Sequence, residues 1–343
     1  MADARLYVGG KIYGGWDKLT VTRSVEQMAG TFELSVSELW PQNKEPRDIP
    51  PGAKCTLKLD GETVITGYVD ENEPEYNDTT HRVIVRGRDG IGDLVDCAAI
   101  HPGNWLNRNL LQIAEDLCKP FGIKVRATID VGARFLTWGI ADGETVFENL
   151  DRACRHRGVM LLSDGVGGLI IAKPSTTRLP VGLELGKNIL RCRGKKSWLE
   201  RYSKYIVGGH ASFNQGYDPK TTVGMQGIAE DAGVNRYRPK VVVAEDTLDP
   251  NTAKIRAAYE RSRRYGRSLS VTYTVAGWSF PGGLWRPDRM VSIRDPKSRI
   301  NRDLYISTVQ YQLDGETGST TDITVKRPEA FSLIAIPEKD EVY

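Results

Sequence analysis

The sequence has no charge of one dominant sign. Its 47 basic and 44 acidic residues leave a formal charge of +3 over 343 residues, too little for the basic footprint of a nucleic-acid-binding protein. It also has no run approaching 18 consecutive apolar residues, which excludes a transmembrane helix. The N-terminus MADARLYVGG has neither a basic region leading into an apolar core nor a cleavage site, so the chain is expected to begin life in the cytosol. Histidine is scarce. His81, His101, His156 and His210 lie far apart with no HExxH or cysteine-pair companion, and no zinc site is expected. Cysteine is sparse and odd in number. Cys55, Cys97, Cys118, Cys154 and Cys192 are widely spaced, and their mostly apolar settings suggest buried, reduced thiols.

What is present is ordinary globular composition, 40% hydrophobic and 27% charged, which argues against disorder or a fibrous repeat. The length allows two or three domains. From residue 5 to about 97 the pattern is short and alternating, as in an all-β barrel or sandwich. Strands are expected at Asp17 to Ser24, Gly30 to Ser37, Lys54 to Leu59, Glu62 to Glu71 and His81 to Asp89. Phe32, Leu34 and Val36 alternate with Glu33 and Ser35, so one face is apolar. Four prolines in PQNKEPRDIPPG, between Pro41 and Pro51, demand a loop, and Leu59-Asp60-Gly61-Glu62 demands a hairpin turn.

Residues 103 to 173 change character. Leu110, Leu111, Ile113, Ala114, Leu117 and Cys118 fall at helical spacing, closed by Lys119-Pro120. Val146, Phe147, Leu150, Ala153 and Cys154 repeat that spacing, with Gly158 as the stop. Apolar runs at Gly122 to Ala127, Val159 to Leu162 and Leu169 to Ala172 complete a small α+β module. Further on, a strand is expected at Tyr202 to Val207, then a polar, glycine-rich arm over 211 to 239. A helix follows from Asn251 or Thr252 to Tyr265, and strands resume at Ser268.

The plan of Pro51 to Asp89 recurs in Leu284 to Pro328. Lys54 to Leu59, Val64 to Asp70 and His81 to Arg88 are echoed by Arg289 to Arg294, Leu304 to Leu313 and Thr321 to Lys326, joined by DPKSRINRD and DGETGST. This is a supersecondary unit used twice. The fold class is therefore mainly β with an α+β insert: two similar β-barrels flanking a small α+β module. The expected divisions are 1–97 (first barrel), 98–175 (α+β module), 176–250 (connecting strands and extended arm), 251–331 (helix and second barrel) and 332–343 (tail).

Motifs for chemistry fail one by one. Gly182 to Asn188 is one residue short of a phosphate loop and lacks the Ser or Thr that would hold Mg²⁺; a strand end and turn suffice. Gly277-Trp278-Ser279-Phe280-Pro281 has proline where a nucleophile elbow needs glycine. The carboxylate pairs Asp93/Asp96 and Glu71/Glu73 suit solvated loops. Arg256, Arg261, Arg263, Arg264 and Arg267 scatter around their helix without a stacking series of aromatics, which favours packing or subunit contact. No catalytic, cofactor or metal residue is assigned.

One stretch stands out, Val85-Arg86-Gly87-Arg88-Asp89-Gly90-Ile91-Gly92-Asp93-Leu94-Val95-Asp96-Cys97-Ala98. A strand runs into a helical turn where Asp89 is placed to cap backbone N–H groups and Arg88 to reach a carboxylate. Arg88, Asp89, Asp93 and Asp96 form the expected structural motif, a barrel corner leading into the next domain. The stretch resembles the Gly-Arg-Asp…Asp-Leu-(Val/Ile)-Asp-Cys-(Ala/Ser) signature of phage Mu-like baseplate hub proteins, relatives of the late control protein D family. Gly15-Trp16, Thr22 to Glu26, Ala29 to Leu34, Ile113 to Cys118, Pro120 to Gly122, Glu144 to Val146, Arg157 to Val159 and Arg236 to Pro239 are similar to that family in the same order.

The resemblance implies a VgrG-hub-like fold and a non-enzymatic structural role in the tail baseplate of a virion, assembled in the host cytoplasm. It implies a homotrimer between a six-fold tail tube and a three-fold spike, neighboured by other baseplate proteins; from the small net charge and the lack of long apolar runs, no nucleic-acid binding and no stable membrane insertion are expected. Little sequence follows Lys326-Arg327-Pro328, so the spike is expected to be another chain. The competing readings are a tail-tip cell-wall hydrolase and a nucleic-acid-binding barrel.

Overall fold

The computed structural model describes residues 2–37, 49–78, 81–208, 226–243, 250–315 and 318–335. The chain divides into two compact units, one of Met1–Cys192 with Thr272–Val325 and one of Arg193–Val271 with Lys326–Tyr343. Trp40, the prolines Pro41 and Pro46, His210, residues 211–225 of the expected arm and most of the expected tail lie outside the described residues.

The first unit opens with β1 (Ala4–Val8), β2 (Lys11–Tyr13), β3 (Lys18–Ser24), β4 (Thr31–Ser37), β5 (Lys54–Leu59), β6 (Glu62–Tyr76) and β7 (His81–Asp89). Their spatial order is β3-β4-β7-β6-β5-β1-β2, antiparallel throughout. Period-two burial explains the pairing. Phe32, Leu34 and Val36 of β4 face Gly87, Val85 and Val83 of β7 and are at most 4% exposed, so a one-residue slip would turn the whole apolar set to water. Asp60 and Gly61 both take positive φ, as the two-residue hairpin between β5 and β6 requires. β6 shifts register against β7 between Val69 and Glu71. The strands approach closely beside that bulge: a Cβ on Gly87 would lie 2.3 Å from the Tyr68 carbonyl oxygen.

The α+β module follows as α1 (Gly92–Asp96), β8 (Trp105–Arg108), α2 (Leu110–Cys118), β9 (Val125–Ala127), β10 (Phe135–Trp138), α3 (Val146–Arg157), β11 (Met160–Ser163) and β12 (Leu169–Ala172). Both longer helices start in reciprocal capping boxes, Asn109 with Gln112 and Thr145 with Glu148, which satisfy backbone donors left open in the first turn. Gly158 ends α3 in the left-handed conformation. Leu110, Ile113, Leu117, Leu150, Ala153 and Ile171 share one core. The antiparallel pairing of β8 with β10, across α2 and β9, was not expected from sequence. Trp105, Phe135 and Trp138 are buried while Leu106 and Leu136 are 69% and 83% exposed, so apolar residues on both faces hide the alternation.

Beyond the module come β13 (Leu183–Glu184), β14 (Arg191–Lys196), β15 (Lys204–Gly208), β16 (Gly227–Glu230), β17 (Pro239–Val243), α4 (Pro250–Arg267), β18 (Leu269–Ala276), β19 (Ser279–Phe280), β20 (Gly283–Leu284), β21 (Arg289–Asp295), β22 (Ile300–Asp314) and β23 (Gly318–Lys326). In the second unit β15 lies between β16, antiparallel, and β17, parallel, and α4 packs on β15 and β16. The described part of the stretch expected as an arm thus supplies β16 and leads into β17. Arg201 and Asp231 form a buried bidentate pair there, with N···O distances of 2.9 and 2.7 Å. The α4 arginines serve local contacts: Arg256 and Arg264 flank Glu260, and Arg263 lies over the Tyr259 ring.

The repeated plan is visible in strand lengths. β5, β6 and β7 have 6, 15 and 9 residues; β21, β22 and β23 have 7, 15 and 9. The likeness reaches further. Next to β7 lies β4 and then β3, and next to β23 lies β18 and then β14. The connections in the second copy are shorter than expected, because Ile300–Asp303 and Gly318–Thr320 already belong to strands. The two copies share one sheet, since Thr308–Asp314 of β22 pairs with Ser24–Lys18 of β3.

Candidate functional site

β7 carries Arg86, Arg88 and Asp89 with strict alternation, so Arg86 and Arg88 share one face and Asp89 turns to the other. Asp89 is 1% exposed. Its Oδ1 accepts the Ile91 N–H at 3.3 Å and its Oδ2 accepts the hydroxyl of Ser163, at the end of β11. The residue at the N-cap position of α1 is Ile91, without a side-chain cap. Asp89 therefore braces the approach to the helix through an Asx-type turn, whereas an N-cap would hold its first turn. Burial pushes the Asp89 carboxyl above the ordinary range, opposed by the Ser163 and Ile91 hydrogen bonds and by the Arg23 charge. Arg23 is itself buried, which lowers its pKa, and its Nη2 donates to the Ser163 carbonyl at 3.4 Å. Gly165 leaves room for that guanidinium: with φ +79°, its added Cβ would lie 2.5 Å from Arg23 Cζ.

On the opposite face Arg88 Nε donates to Asp70 Oδ2 at 2.9 Å and Nη2 meets Asp96 Oδ2 at 2.8 Å. One guanidinium thus ties β6 to α1. These hydrogen bonds hold the Arg88 pKa above its ordinary value. Asp93 stands beside them, its carboxyl pushed up by burial and held back by Arg88. Gly52, Tyr68, Val69, Asp70, Glu71, Arg88 and Asp93 line a depression of about 520 Å³. Further along the strand Arg86 gathers Glu33, Glu71 and Glu73 at 2.7, 3.0 and 2.8 Å.

The structure therefore brings Arg88, Asp93 and Asp96 together and sends Asp89 to a separate, interior cluster. Arg23, Asp70 and Ser163 were missed by the sequence reading. Asp70 was within reach of it, because the β6–β7 pairing sets Tyr68 opposite Arg88, whereas nothing local announces Arg23 or Ser163. Chemically this is a joint: the carboxylate with the strongest burial is closed to substrate, and Asp70 and Asp96 are engaged by one guanidinium.

Elsewhere the motifs resolve into turns. Asn188 Nδ2 donates to the Gly182 carbonyl at 2.8 Å and Lys187 pairs with Glu184, closing a loop on itself where a phosphate would need open N–H groups. Gly277 takes φ +70° and enters the β19–β20 hairpin. Among the described residues no three His, Cys, Asp or Glu side chains are grouped to hold a metal ion, and no helix is long and apolar enough to cross a membrane. Cysteine burial needs a correction: Cys55, Cys118 and Cys154 are buried, but Cys97 and Cys192 are exposed. Cys97 follows the short α1 and Cys192 lies on β14, a strand of wholly exposed residues.

Comparison with known proteins agrees with this architecture. A 43 kDa tail protein of prophage MuSo2 from Shewanella oneidensis superposes with TM-score 0.88 at 37% identity, over 97% of this chain and 100% of that one. A tail protein from Neisseria meningitidis gives 0.80 at 21% identity, over 96% and 98%. A component of the type VI secretion system of E. coli, described as structurally similar to the T4 tail proteins gp27 and gp5, shares the fold with TM-score 0.55 at 10% identity, over 98% of this chain and 77% of that one. The fold, shared at 37% identity with a prophage tail protein, defines a protein of phage-type tails.

Three family models match consecutive parts of the chain: Mu phage baseplate assembly protein GpP-like, N-terminal, at residues 3–89; baseplate hub protein gp44-like, second domain, at 91–173; and Mu phage baseplate assembly protein GpP, fourth domain, at 249–334. The baseplate hub protein gp44 of Escherichia phage Mu is 35% identical over 336 residues, 95% of this chain and 88% of that protein. The chain belongs to the Mu-like baseplate hub family, and its place is the baseplate of the virion tail.

Proposed function

We propose that three copies of this chain form the hub ring of a contractile tail, adapting a six-fold tube to a three-fold spike and passing axial load when the sheath contracts. The observation that carries this reading is the duplicated strand plan, β3-β4-β7-β6-β5 and β14-β18-β23-β22-β21, within one polypeptide. Two similar faces per chain become six around a three-fold axis. No bond is made or broken, and the chain works through its surfaces alone.

In this reading the divisions 1–97, 98–175, 176–250, 251–331 and 332–343 are the working parts. Arg88, Asp89, Asp93 and Asp96 keep the α+β module from swinging on the strands that bear load. The spike, the tube protein and other baseplate proteins are the neighbours.

Mass measurement of the purified chain, alone and with its spike, tests the proposal. The expected result is a trimer; a stable monomer under both conditions overturns it. A muralytic assay is expected to show no turnover, and a salt-dependent DNA titration no binding.

A further inference from the structure

β22 uses one edge twice. Its first half pairs with β21, and Thr308–Asp314 then pairs with β3 on the same side. β6, its counterpart, uses the first half of that edge on β5. Past Val69, which still bonds Gly52 and Ala53, residues 71–76 have β7 on one edge and no strand on the other among the described residues. The counterpart of β3 is β14, whose neighbour is β18, at one end of the sheet order. One junction of the repeated plan is made inside the chain, β22 on β3. The equivalent junction, β6 on β14, is not.

The two edges are chemically opposite. β6 ends in Asp70-Glu71-Asn72-Glu73-Pro74-Glu75-Tyr76, and β14 reads Arg191-Cys192-Arg193-Gly194-Lys195-Lys196, with all six residues exposed. Glu71, Glu73 and Glu75 share a face of β6 by their pairing with Arg86, Ile84 and Arg82; Arg191, Arg193 and Lys195 share a face of β14 by alternation. Among the described residues Arg86 is the shared ionic partner of Glu33, Glu71 and Glu73, so acid is in excess there. Like charges on each edge oppose self-pairing, and opposite charges favour the mixed pair. Pro74, which has no N–H to give, is tolerated because β6 is an edge here.

We propose that Glu71–Tyr76 of one copy pairs antiparallel with β14 of the next copy, head to tail, closing the ring through a backbone ladder. This rests on the hub reading above and supplies its interface. With inward-facing residues matched to the β22–β3 junction, Glu73 lies opposite Lys195, Glu75 opposite Arg193 and Tyr76 opposite Cys192. In the intrachain junction the corresponding outward positions hold neutral pairs, Ser24 with Thr308 at 2.8 Å and Thr22 with Gln310 at 3.2 Å. A head-to-tail contact joins unlike surfaces, so a rotation that closes gives a ring without free edges.

The test uses the full chain in a Cys97→Ser background. Tyr76→Cys is expected to form a disulfide with the native Cys192 of the neighbouring copy under mild oxidation, giving covalent dimers and trimers on a non-reducing gel, abolished by adding Cys192→Ser. Glu73→Lys with Glu75→Lys is expected to reduce the assembled fraction at least tenfold, and adding Arg193→Glu with Lys195→Glu to the same chain to restore it. Trimers that neither crosslink nor respond to charge reversal overturn this interface and leave the hub reading intact. A wild-type chain that stays monomeric with its spike overturns both.

Discussion

The hydroxyl of Ser163 donates to the carboxylate of Asp89, joining the end of β7 to the end of β11 across 74 residues of sequence. Asp89 thereby holds the first strand group against the α+β module, and the nearby Arg23 belongs to β3. β3 joins them through Ser163, whose carbonyl accepts from Arg23.

Asp89→Ala is expected to cost about 2–4 kcal/mol, because it orphans the Ile91 N–H and the Ser163 hydroxyl and removes a negative charge that acts on the buried Arg23. Asp89→Asn keeps an acceptor and is expected to cost less. Denaturant midpoints at constant slope check both.

Arg88→Ala is expected to cost no more than about 1 kcal/mol, although Arg88 has two ionic partners. Its side chain is 37% exposed, as is comparable for Asp70 at 36%, so water replaces much of what is lost. The same denaturant series, repeated at high salt, should show the difference from wild type shrinking.

Asp231 sets a pH dependence. Its buried pairing with Arg201 holds the carboxyl below its ordinary 3.8, against the desolvation that would raise it. A depressed folded pKa gives stability that is fully present above the unfolded value and is lost as pH falls through the folded one. Wild type is therefore expected to lose stability below about pH 4 more steeply than Asp231→Asn, which is weaker at neutral pH but flatter. Urea unfolding of both proteins between pH 7 and pH 2 checks this.

Gly87→Val is expected to destabilise by more than about 3 kcal/mol, since the new side chain must displace the Tyr68 carbonyl and the ring of Phe32, whose Cζ lies 2.5 Å from the added Cβ position. Thermal unfolding, or loss of soluble protein on expression, reports it.

Alkylation of the unassembled chain under native conditions is expected to modify two thiols, Cys97 and Cys192, whereas assembly through β14 is expected to protect Cys192. Burial pushes the thiols of Cys55 and Cys118 up to about 12 and that of Cys154 up as well, and the thiolate is the reacting form. Intact mass after iodoacetamide should show two adducts, and five after unfolding.

Local order in this chain is legible from its residues. The strand at His81 to Asp89 was expected with the bounds it has, because Val83 and Val85 alternate with Ile84 and Arg86. The helix at Leu110–Cys118 follows from its apolar stripe, and the repeated three-strand plan from matching turns. The candidate site was legible in part: Arg88 was named as seeking a carboxylate, but Asp70 and Ser163 were not named as its neighbours and those of Asp89. A side chain's partner across 18 or 74 residues depends on strand register and on which faces meet, and neither is written in local composition.

What the residues alone determined, then, is where strands and helices run and that one strand plan occurs twice, since periodicity, capping and turn chemistry act over a few neighbours. What the tertiary structure decided is how edges are used: β22 continues past β21 onto β3, while among the described residues the acidic end of β6 and the basic β14 each have a strand on one edge alone. Backbone hydrogen bonding satisfies any strand that arrives in register. Only the packed arrangement of distant segments determines which edges are filled within one molecule.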